Sequence, residues 1–501
     1  MIATAHAEPN SSQTYLSYLF PFRLNGFSES IVTSFYRYLG DWFKTGGPLF
    51  VKVGQYLSTK RSMLPSEFTE HLKQLQDENQ FSVPRLSELG FPFLNHLLLR
   101  CVGSGSMAAV FFVLNRDTHK KYAVKVKHPR LAEAVNTNHS QLLRIIDWIN
   151  YFPDWSMFSG IRTIGFFFTP TLVDAMKDQQ DFQKEQTVQN TVRCRLRTVK
   201  HLVHIPFVHF QNEHLMIQSY EDGVSLSELK LRYGPEIAIQ ACALLQTTYF
   251  NLMHSIGFVH SDLHEGNFRF RVDSRTKQLS LVLYDFGYCT LLDEKQKSYI
   301  RRLFPNCCTP SSDGLAWIIR DLNREKPEAM LDAITDRYMN EKLSGLTAMS
   351  RNGDSIYKYT DMEKAKEIYE GFDASSMVSD LVDMIQSNGL TFDPVLLSVV
   401  FNMAYIVDYD TTYYPRTFEN MVSKYTYIAI YDAVFRIALD GEPVRSAFGI
   451  RKSTEYVQAA DLGSTDLGPT DVGSADVGSA DVEQTIVAAS EGGSSIVAEA
   501  T

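Results

Sequence analysis

Two short motifs constrain what this chain folds into more than any other feature of its sequence. The first motif, His260–Asn267, reads HSDLHEGN and contains an Asp that is followed five positions later by an Asn. The second motif, Tyr284–Gly287, reads YDFG and comes directly after the apolar run Leu279–Leu283. Because the two motifs occur in a fixed order and beside apolar runs, together they are far more specific than either is alone.

The chemistry of these motifs is that of phosphoryl transfer in kinase-like folds. Asp262 is expected to accept the proton of a hydroxyl group, and Asn267 and Asp285 are expected to hold Mg²⁺ against the phosphates of ATP. A hard cation takes oxygen ligands, and Mg²⁺ shares them with phosphates and water. The 23 positions from Asp262 to Asp285 leave room for a loop and a short strand pair. The sequence therefore predicts an α+β, bilobal, protein-kinase-like fold.

A phosphate-covering loop is predicted at residues 103–110, which read GSGSMAAV between two strand-like runs. Gly103, Gly105, Ser106 and Ala108 carry the small side chains that let backbone amides approach phosphate oxygens. A glycine-rich hairpin turn explains the same residues equally well, so the loop alone is a weak signal.

Lys125 lies in the strand-like run AVKV shortly after this loop and is typical of the kinase Lys that contacts the phosphates. Such a Lys needs a carboxylate to fix it, and Glu185 is the best candidate, although a solvated helix face explains a lone Glu as well. The 60 positions between them imply an insertion. The segment that contacts the adenine base is expected near Ser219 and Tyr220, after the next strand.

Changes in periodicity divide the chain into segments. Residues 47–76 predict two helices that break near Pro65, and three strand-like runs follow between residues 97 and 127. Residues 130–200 have a mostly helical pattern, and strands return between 201 and 220 before a largely helical remainder. The predicted divisions are an aromatic-rich segment at 1–44, a helical extension at 45–95 and an N-lobe with a helical insertion at 96–222. A C-lobe at 223–452 and a disordered tail at 453–501 follow.

The acidic charge of the chain is concentrated in its tail. The formal net charge is −10, of which −9 falls in residues 453–501 and −1 in residues 1–452. A nearly neutral folded part argues against a nucleic-acid partner, which would need a basic face. The tail repeats Asp, an aliphatic residue and Gly with a period of five and has few large side chains, so it cannot bury a core.

The sequence also bears on compartment and membrane contact. The six cysteines lack the paired spacing of a metal site, so reduced thiols in a reducing intracellular compartment are expected. No apolar run of about 18 residues predicts a membrane-spanning helix, and Met1–Asn10 has neither the positive nor the apolar region of a secretory signal. The aromatic-rich run Tyr15–Phe43 fits either helix faces packed on the main body or a peripheral membrane contact.

A third motif resembles a helix of one particular family. Lys52–Gln55 reads KVGQ, and Leu64, Pro65 and a leucine-containing run ending at Asp77 follow it. This pattern resembles the Lys-x-Gly-Gln helix of the UbiB/ADCK (aarF-domain) family of atypical kinase-like ATPases, which ordinary kinases and aminoglycoside-type phosphotransferases lack. The sequence AVKVKHP at residues 123–129 and the HSDLHEGN loop also look like motifs of this family.

The resemblance covers about residues 45–300 and implies an N-terminal helical extension that folds over the active site. Known members bind and hydrolyse ATP and support ubiquinone biosynthesis and lipid-linked metabolism at membranes. A lipid- or quinone-related small molecule and a mitochondrial or peripheral membrane location are therefore expected by family analogy alone. Carried over, Lys125 contacts phosphates and pairs with Glu185, while Lys52 and Gln55 lie over the pocket where a protein substrate would enter.

Three positions depart from the pattern of this family. Its Glu-x-Asp sequence reads Gln179-Gln-Asp181 here, so the residue expected to engage the Lys52 helix lacks a charge. Glu265 stands where the family has Pro and is expected to place a carboxylate near the phosphates. The nucleotide loop keeps two glycines where the family loop is Ala-rich. The groups that do chemistry are intact, so the altered restraints predict more autophosphorylation than the family pattern suggests.

Three functions are compatible with these observations. The first is a Mg²⁺-dependent ATPase or atypical kinase. The second is a nucleotide-binding pseudoenzyme that regulates a partner, for which Gln179 and Glu265 are the motivation. The third is a small-molecule phosphotransferase, against which the Lys52 helix argues. Hydrolysis that is lost in Asp285→Asn separates the first from the second, and substrate-stimulated turnover identifies the third.

Overall fold

The computed structural model of the protein describes residues 29–58, 64–73, 75, 96–151, 159–305, 307, 311–342, 374–409, 413–415 and 417–440. The predicted acidic tail and the part of the aromatic-rich run before residue 29 lie outside these residues. The described chain is a mixed α+β fold with two lobes that meet at the segment after residue 219. The fold class predicted from the sequence is confirmed.

The N-lobe is built on an antiparallel sheet of five strands in the order β1-β2-β3-β6-β5. Buried Val124 and Val126 face the sheet's core, and the alternation of a strand turns Lys125 between them to the opposite face. Lys125 lies opposite Val110 on β2 and Met216 on β6, in the middle of the sheet. The strands are β1 His96–Ser104, β2 Ala108–Asn115, β3 Lys121–Lys127, β5 Val208–Gln211 and β6 Leu215–Ser219.

Four helices separate β3 from the strands that complete the sheet. They are α4 Leu131–Asn150, α5 Ser159–Phe167, α6 Pro170–Asp178 and α7 Phe182–Arg195. Two N-caps fix where the last helices begin, because the Thr169 hydroxyl accepts the Leu172 N–H and the Asp181 carboxylate accepts the N–H groups of the first turn of α7. The helical pattern of residues 130–200 is thus realised as an insertion that precedes the helix carrying Glu185.

Helix α1 Glu29–Thr45, which falls in the predicted aromatic-rich segment, and the helices α2 Pro48–Ser58 and α3 Ser66–Lys73 of the extension pack on this insertion. The aromatic rings of Phe43 and Phe168 lie 5.6 Å apart, and Asn138 donates its side-chain N–H to the Gly46 carbonyl at 2.7 Å. Gly47 turns the chain between α1 and α2 with a φ of 114°, a conformation that favours glycine. The shared core includes Phe43, Leu49, Phe50, Leu57, Phe68, Val135, Ile146, Phe168, Val173, Leu397 and Phe401.

The C-lobe is mainly helical around two small sheets. The strand β8 Phe268–Val272 pairs antiparallel with β9 Leu279–Leu283, β9 pairs parallel with β4 Val203–His204, and β7 Phe258–His260 pairs with β10 Cys289–Leu291. The strand β10 was not predicted, because three residues are too few to show a period. The helices are α8 Leu226–Tyr233, α9 Pro235–Asn251, α10 Glu294–Leu303, α11 Ser312–Leu322, α12 Glu328–Lys342, α13 Ala374–Ser387, α14 Pro394–Tyr409 and α15 Phe418–Asp440.

Helix α14 belongs to two hydrophobic cores. Leu396, Val399 and Met403 pack in the core of the C-lobe, whereas Leu397 and Phe401 pack in the core of the extension and the insertion. Neighbouring positions on one helix thus connect the two regions. Within the residues that the structure describes, no helix has the length and apolarity to cross a membrane.

Candidate active site

Lys125 lies at the centre of the candidate site and contacts two carboxylates. Its Nζ donates to both carboxylate oxygens of Glu185, at 2.9 and 3.0 Å, and to Oδ1 of Asp285 at 3.0 Å. Burial alone would lower the pKa of Lys125, but the carboxylates of Asp285 and Glu185 raise it above its ordinary value. Burial also raises the pKa of Glu185, to about 7, against the opposing effect of Lys125. The ammonium group is therefore fixed in place and permanently charged at neutral pH.

Local backbone structure presents these three side chains to one another. Glu185 lies in the first turn of α7, which the Asp181 cap orients, and its side chain is fully buried. Asp285 has a left-handed φ of 49°, and its Oδ1 also accepts the N–H of Gly287 at 3.1 Å. Despite burial, the ammonium groups of Lys125 and Lys52 hold the pKa of Asp285 well below its usual range. A charged carboxylate thus follows β9 at the edge of the cleft.

The HSDLHEGN loop places Asp262 next to this cluster. The side-chain amide of Asn267 donates to the Asp262 carbonyl at 2.8 Å, which ties the two ends of the loop together. His264 accepts the Gly266 N–H on its Nδ1 at 3.0 Å, and its Nε2 lies 3.8 Å from Oδ2 of Asp262. The loop is also anchored from outside, because Asn402 on α14 donates to the His260 carbonyl at 3.2 Å.

Lys52 reaches into the site from α2 of the extension. Its Nζ donates to Oδ2 of Asp262 at 2.6 Å, and both side chains are at most 15% exposed. Burial would raise the pKa of Asp262, but the ammonium of Lys52, helped by His264, lowers it below its ordinary value. The pKa of Lys52 is raised in turn, because the carboxylates of Asp262 and Asp285 outweigh its burial.

The side chains of Gln55 and Gln179 form hydrogen bonds with residues other than Asp262. Gln55 donates its side-chain N–H to the Leu75 carbonyl at 2.9 Å and so fixes α2 against the end of the extension. Gln179 directs its amide to the sulfur of Met176 at 2.9 Å, while its backbone runs alongside Gly287. Lys52 therefore contacts Asp262 without a hydrogen bond from Gln179.

Two oxygens of the site make no hydrogen bond to any residue in the described part of the chain. These are Oδ1 of Asn267, whose amide nitrogen is used, and Oδ2 of Asp285, whose other oxygen is used. An amide oxygen and a carboxylate oxygen are ligands of the kind that Mg²⁺ takes, and Mg²⁺ commonly completes its shell with phosphates and water. Asn267 and Asp285 therefore fit the metal that the sequence predicts.

The loop between β1 and β2 is held against His128, the residue that follows β3. The Gly105 N–H donates to the Ala108 carbonyl at 2.8 Å, and the Gly105 carbonyl contacts Nε2 of His128 at 2.9 Å. Ser106 and Ala108 are buried, whereas a Cβ added at Gly103 would meet open space. Packing within the protein does not require glycine at position 103, which leaves room beside the backbone for a ligand.

Ser219 and Tyr220 begin the segment that links the lobes. The Ser219 N–H donates to the Phe207 carbonyl at 2.8 Å, and the Ser219 hydroxyl accepts the Phe207 N–H at 2.8 Å and donates to the Glu221 carboxylate at 3.2 Å. The Tyr220 ring lies edge-on to Phe112 of β2, with centroids 4.6 Å apart. These contacts hold both residues at the end of β6, where the chain leaves the N-lobe sheet.

Several residues at the site were not selected from the sequence. His264 lies inside the motif, so its proximity to Asp262 was available as a signal. Asn402 gave none, because it is a polar residue within an apolar helix far along the chain. Glu265 was expected near the phosphates, and its carboxylate accepts a hydrogen bond from the Tyr413 hydroxyl at 3.1 Å.

A comparison with known protein families gives a match to part of this chain. A family model for the ABC1 atypical kinase-like domain matches residues 92–317, which hold the N-lobe sheet, the insertion and both motifs. Residues 92–317 are thus similar to the ABC1 atypical kinase-like domain, which agrees with the atypical kinase-like character that the sequence motifs predict.

Solved structures similar to this chain include kinases. The complex of Rv3197 with erythromycin from Mycobacterium tuberculosis is 17% identical, with 72% of this chain and 91% of that chain covered and a TM-score of 0.35. The complex of Rio2 kinase with ADP, Mg²⁺ and phosphoaspartate from Chaetomium thermophilum is 11% identical, with 65% and 75% covered and a TM-score of 0.27.

Proposed function

We propose that this protein is a Mg²⁺-dependent ATPase or atypical kinase that uses ATP as its phosphoryl donor. The observation that supports this most is the position of Lys125, whose Nζ lies within 3.0 Å of both Glu185 and Asp285. In phosphoryl transfer, catalysis consists almost entirely of positioning and charge stabilisation. The fixed ammonium of Lys125, next to the Asp285 carboxylate that suits Mg²⁺, supplies both positioning and charge stabilisation.

In the proposed reaction, the bond between the γ-phosphorus and the β,γ-bridging oxygen breaks, and a bond forms between that phosphorus and the acceptor oxygen. Lys125 neutralises charge on the phosphates, and Glu185 holds Lys125 in position. Asp262 receives the proton of the acceptor, which is a hydroxyl group or water. Bound Mg²⁺, held by Asn267 and Asp285, would neutralise charge on the β- and γ-phosphate oxygens.

Lys52 determines which acceptor can react in this proposal. Its ammonium occupies Oδ2 of Asp262 at 2.6 Å and lowers the proton affinity of that carboxylate. Because Asp262 is then a weak base and one of its oxygens is covered, transfer of the phosphoryl group to a protein hydroxyl is disfavoured. Water is a smaller acceptor and can still react. We therefore assign hydrolysis to the state with Lys52 in place, and autophosphorylation to a state in which Lys52 has left Asp262.

The same ion pair favours a second candidate, a nucleotide-binding pseudoenzyme that acts on a partner. If the ion pair with Lys52 makes Asp262 too weak a base to receive a proton even from water, the site does not turn ATP over. Nucleotide would then bind at Lys125 and Asp285 without being turned over. The two candidates differ in whether ADP is released, so they are separable by measurement.

A quinone- or lipid-linked pathway is proposed from the family resemblance, together with peripheral contact with a membrane. Helix α1 supports the second part, because Tyr38 and Trp42 are exposed on one face, at 64% and 38%, while its other face is buried. Tyr and Trp rings are favoured where a membrane meets water. Sedimentation with lipid vesicles that is unchanged in Tyr38→Ala and Trp42→Ala would contradict a contact through this face.

The decisive experiment follows ADP release and protein mass together after incubation with Mg-ATP. Asp262→Asn and Asp285→Asn are compared with Asp147→Asn, which removes an exposed carboxylate from α4. Release that persists in the Asp147 variant and is lost in the Asp285 variant is the expected result. Stabilisation by nucleotide without any ADP release would contradict the catalytic proposal and support the pseudoenzyme.

A further inference from the structure

Tyr284, the residue before Asp285, reaches from the end of β9 to the segment between the lobes. Its hydroxyl donates to the Glu221 carbonyl at 2.9 Å, and its backbone N–H donates to the Asn267 carbonyl at 2.9 Å. One residue therefore contacts the backbone of a proposed Mg²⁺ ligand at one end and the linking segment at the other.

The linking segment is held against the C-lobe at Glu221. Arg271 on β8 contacts the Glu221 carboxylate at 3.1 Å and the Asp222 carboxylate at 2.8 Å. The Ser219 hydroxyl donates to the second oxygen of Glu221, and Val224 exchanges backbone hydrogen bonds with Phe270 of β8. The carbonyl that Tyr284 contacts is thus fixed in direction.

The alternation of β8 shows which side of the C-lobe faces the linking segment. Phe268 and Phe270 are buried in the C-lobe core at 1% and 0% exposure. Arg269 and Arg271, on the other face of the strand, are half-buried and lie beside Tyr284. The Tyr284 side chain therefore lies on the face of the C-lobe that contacts the linking segment through Arg271.

This placement matters for a nucleotide bound as proposed above. Because Tyr284 adjoins Asp285 and its hydroxyl reaches Glu221, its side chain spans the two places that a nucleotide with its phosphates at Asp285 and its base towards the linking segment would connect. Backbone carbonyls of such a segment are acceptors that an amino group of a base can use. The Glu221 carbonyl already accepts the phenol hydrogen bond, so it is a weaker partner for a second donor.

We propose that Tyr284 determines how the base is recognised, with its ring as the floor beneath the base and its hydroxyl as the group that occupies the Glu221 carbonyl. This inference rests on the proposed ATP-binding function. The protein is then expected to bind purine nucleoside triphosphates through their phosphates and through contact of the base with the flat Tyr284 ring. The exocyclic amino group of the base contributes little to the affinity.

The test compares the binding of ATP with that of purine riboside triphosphate, which lacks only the amino group, by calorimetry in the presence of Mg²⁺. The unmodified protein is expected to bind the two nucleotides with affinities within about twofold of each other. Tyr284→Phe keeps the ring and frees the carbonyl, so it is expected to prefer ATP by about two- to tenfold, the effect of one hydrogen bond. Tyr233→Phe, which removes an exposed phenol on α8, should keep the ratio of the unmodified protein.

The outcomes separate the two proposals. If the ratio of the affinities for ATP and purine riboside triphosphate in Tyr284→Phe equals that of the unmodified protein, the role of Tyr284 is overturned. The proposed function is unaffected by that result. A preference of the unmodified protein for ATP above about tenfold also overturns the role of Tyr284. Such a preference would mean that the amino group of the base already forms a hydrogen bond with the protein. Failure of the unmodified protein to bind either nucleotide overturns the proposed function and this inference with it.

Discussion

The side chains of Lys52 and Asp262 form a 2.6 Å ion pair although 210 positions separate them in the chain. One partner comes from a helix outside the matched kinase-like domain, and the other lies in the HSDLHEGN loop within that domain. The extension therefore supplies a group to the site itself as well as packing around it. This contact makes the state of Asp262 depend on a helix that ordinary kinases lack.

Replacing Lys52 by Met should release Asp262 and change the fate of the phosphoryl group. The carboxylate then regains its proton affinity and its open oxygen, so phosphate incorporation into the protein is expected to rise several-fold. Mass spectrometry after incubation with Mg-ATP measures this. Lys177→Met, a change on α6 outside the site, is the control, and equal incorporation in both variants would contradict the role given to Lys52.

Replacing Lys125 by Met should destabilise the protein, because Glu185 is then left as a buried carboxylate without its cation. The expected loss in the free energy of unfolding is about 3–5 kcal/mol. Adding Glu185→Gln should restore part of that loss, since the second change removes the uncompensated charge. Denaturant unfolding of the two single variants and the double variant measures the coupling. Strictly additive effects would show that the two side chains do not interact.

His254 should make stability depend on pH in an acidic window. Burial, helped by Arg436 and Arg301, lowers the pKa of His254 to about 4 from an ordinary value of 6.5. Between these values the unfolded chain binds more protons than the folded one, so the free energy of unfolding falls as the pH falls through that window. The loss approaches about 3 kcal/mol near pH 4.

The comparison for this prediction is His254→Gln, which keeps a donor for the Phe304 carbonyl that His254 contacts. Its unfolding free energy should fall less between pH 7 and 4.5 than that of the unmodified protein. His214→Gln, at an exposed site in the turn after β5, should leave the pH dependence unchanged. Parallel curves for the unmodified protein and His254→Gln would rule out the assigned titration.

Asn402→Ala should weaken the catalytic loop without touching a residue that contacts the nucleotide. Asn402 is 5% exposed, and its amide is a donor to the His260 carbonyl. Its removal is expected to cost about 1–3 kcal/mol of unfolding free energy and to lower kcat more than it raises KM for ATP. Asn136→Ala, at an exposed position of α4, is the control, and an Asn402 variant with unchanged kcat would argue against a positioning role.

The sequence predicted those parts of the site that are encoded locally. Lys125, Asp262, Asn267 and Asp285 lie in short motifs whose spacing follows from a strand or a tight loop, so the pattern and the geometry correspond. Glu185 was also accessible, since a helix start is marked by the Asp181 cap just before it. The existence of the insertion followed from the 60 positions between Lys125 and Glu185, and its helical character followed from its periodicity.

Contacts made by tertiary packing were not accessible in the same way. The hydrogen bond from Tyr284 to Glu221 depends on how β9 meets the linking segment 63 positions away. The contact of Asn402 with His260 depends on the docking of α14, whose sequence reads as an ordinary apolar helix. No local period marks either residue, because the partner is fixed by the assembled fold alone.

Helix α14 gives the molecule a property that neither lobe has alone. Its Leu397 and Phe401 are buried with the extension, its Leu396 and Val399 with the C-lobe, and Asn402 between them holds the catalytic loop. A structural change in either the extension or the C-lobe is therefore expected to act on the same helix, α14. Truncation of the extension would disturb the HSDLHEGN loop as well as uncover Asp262. A change of the single side chain Lys52 is expected to uncover Asp262 while α14 stays in place.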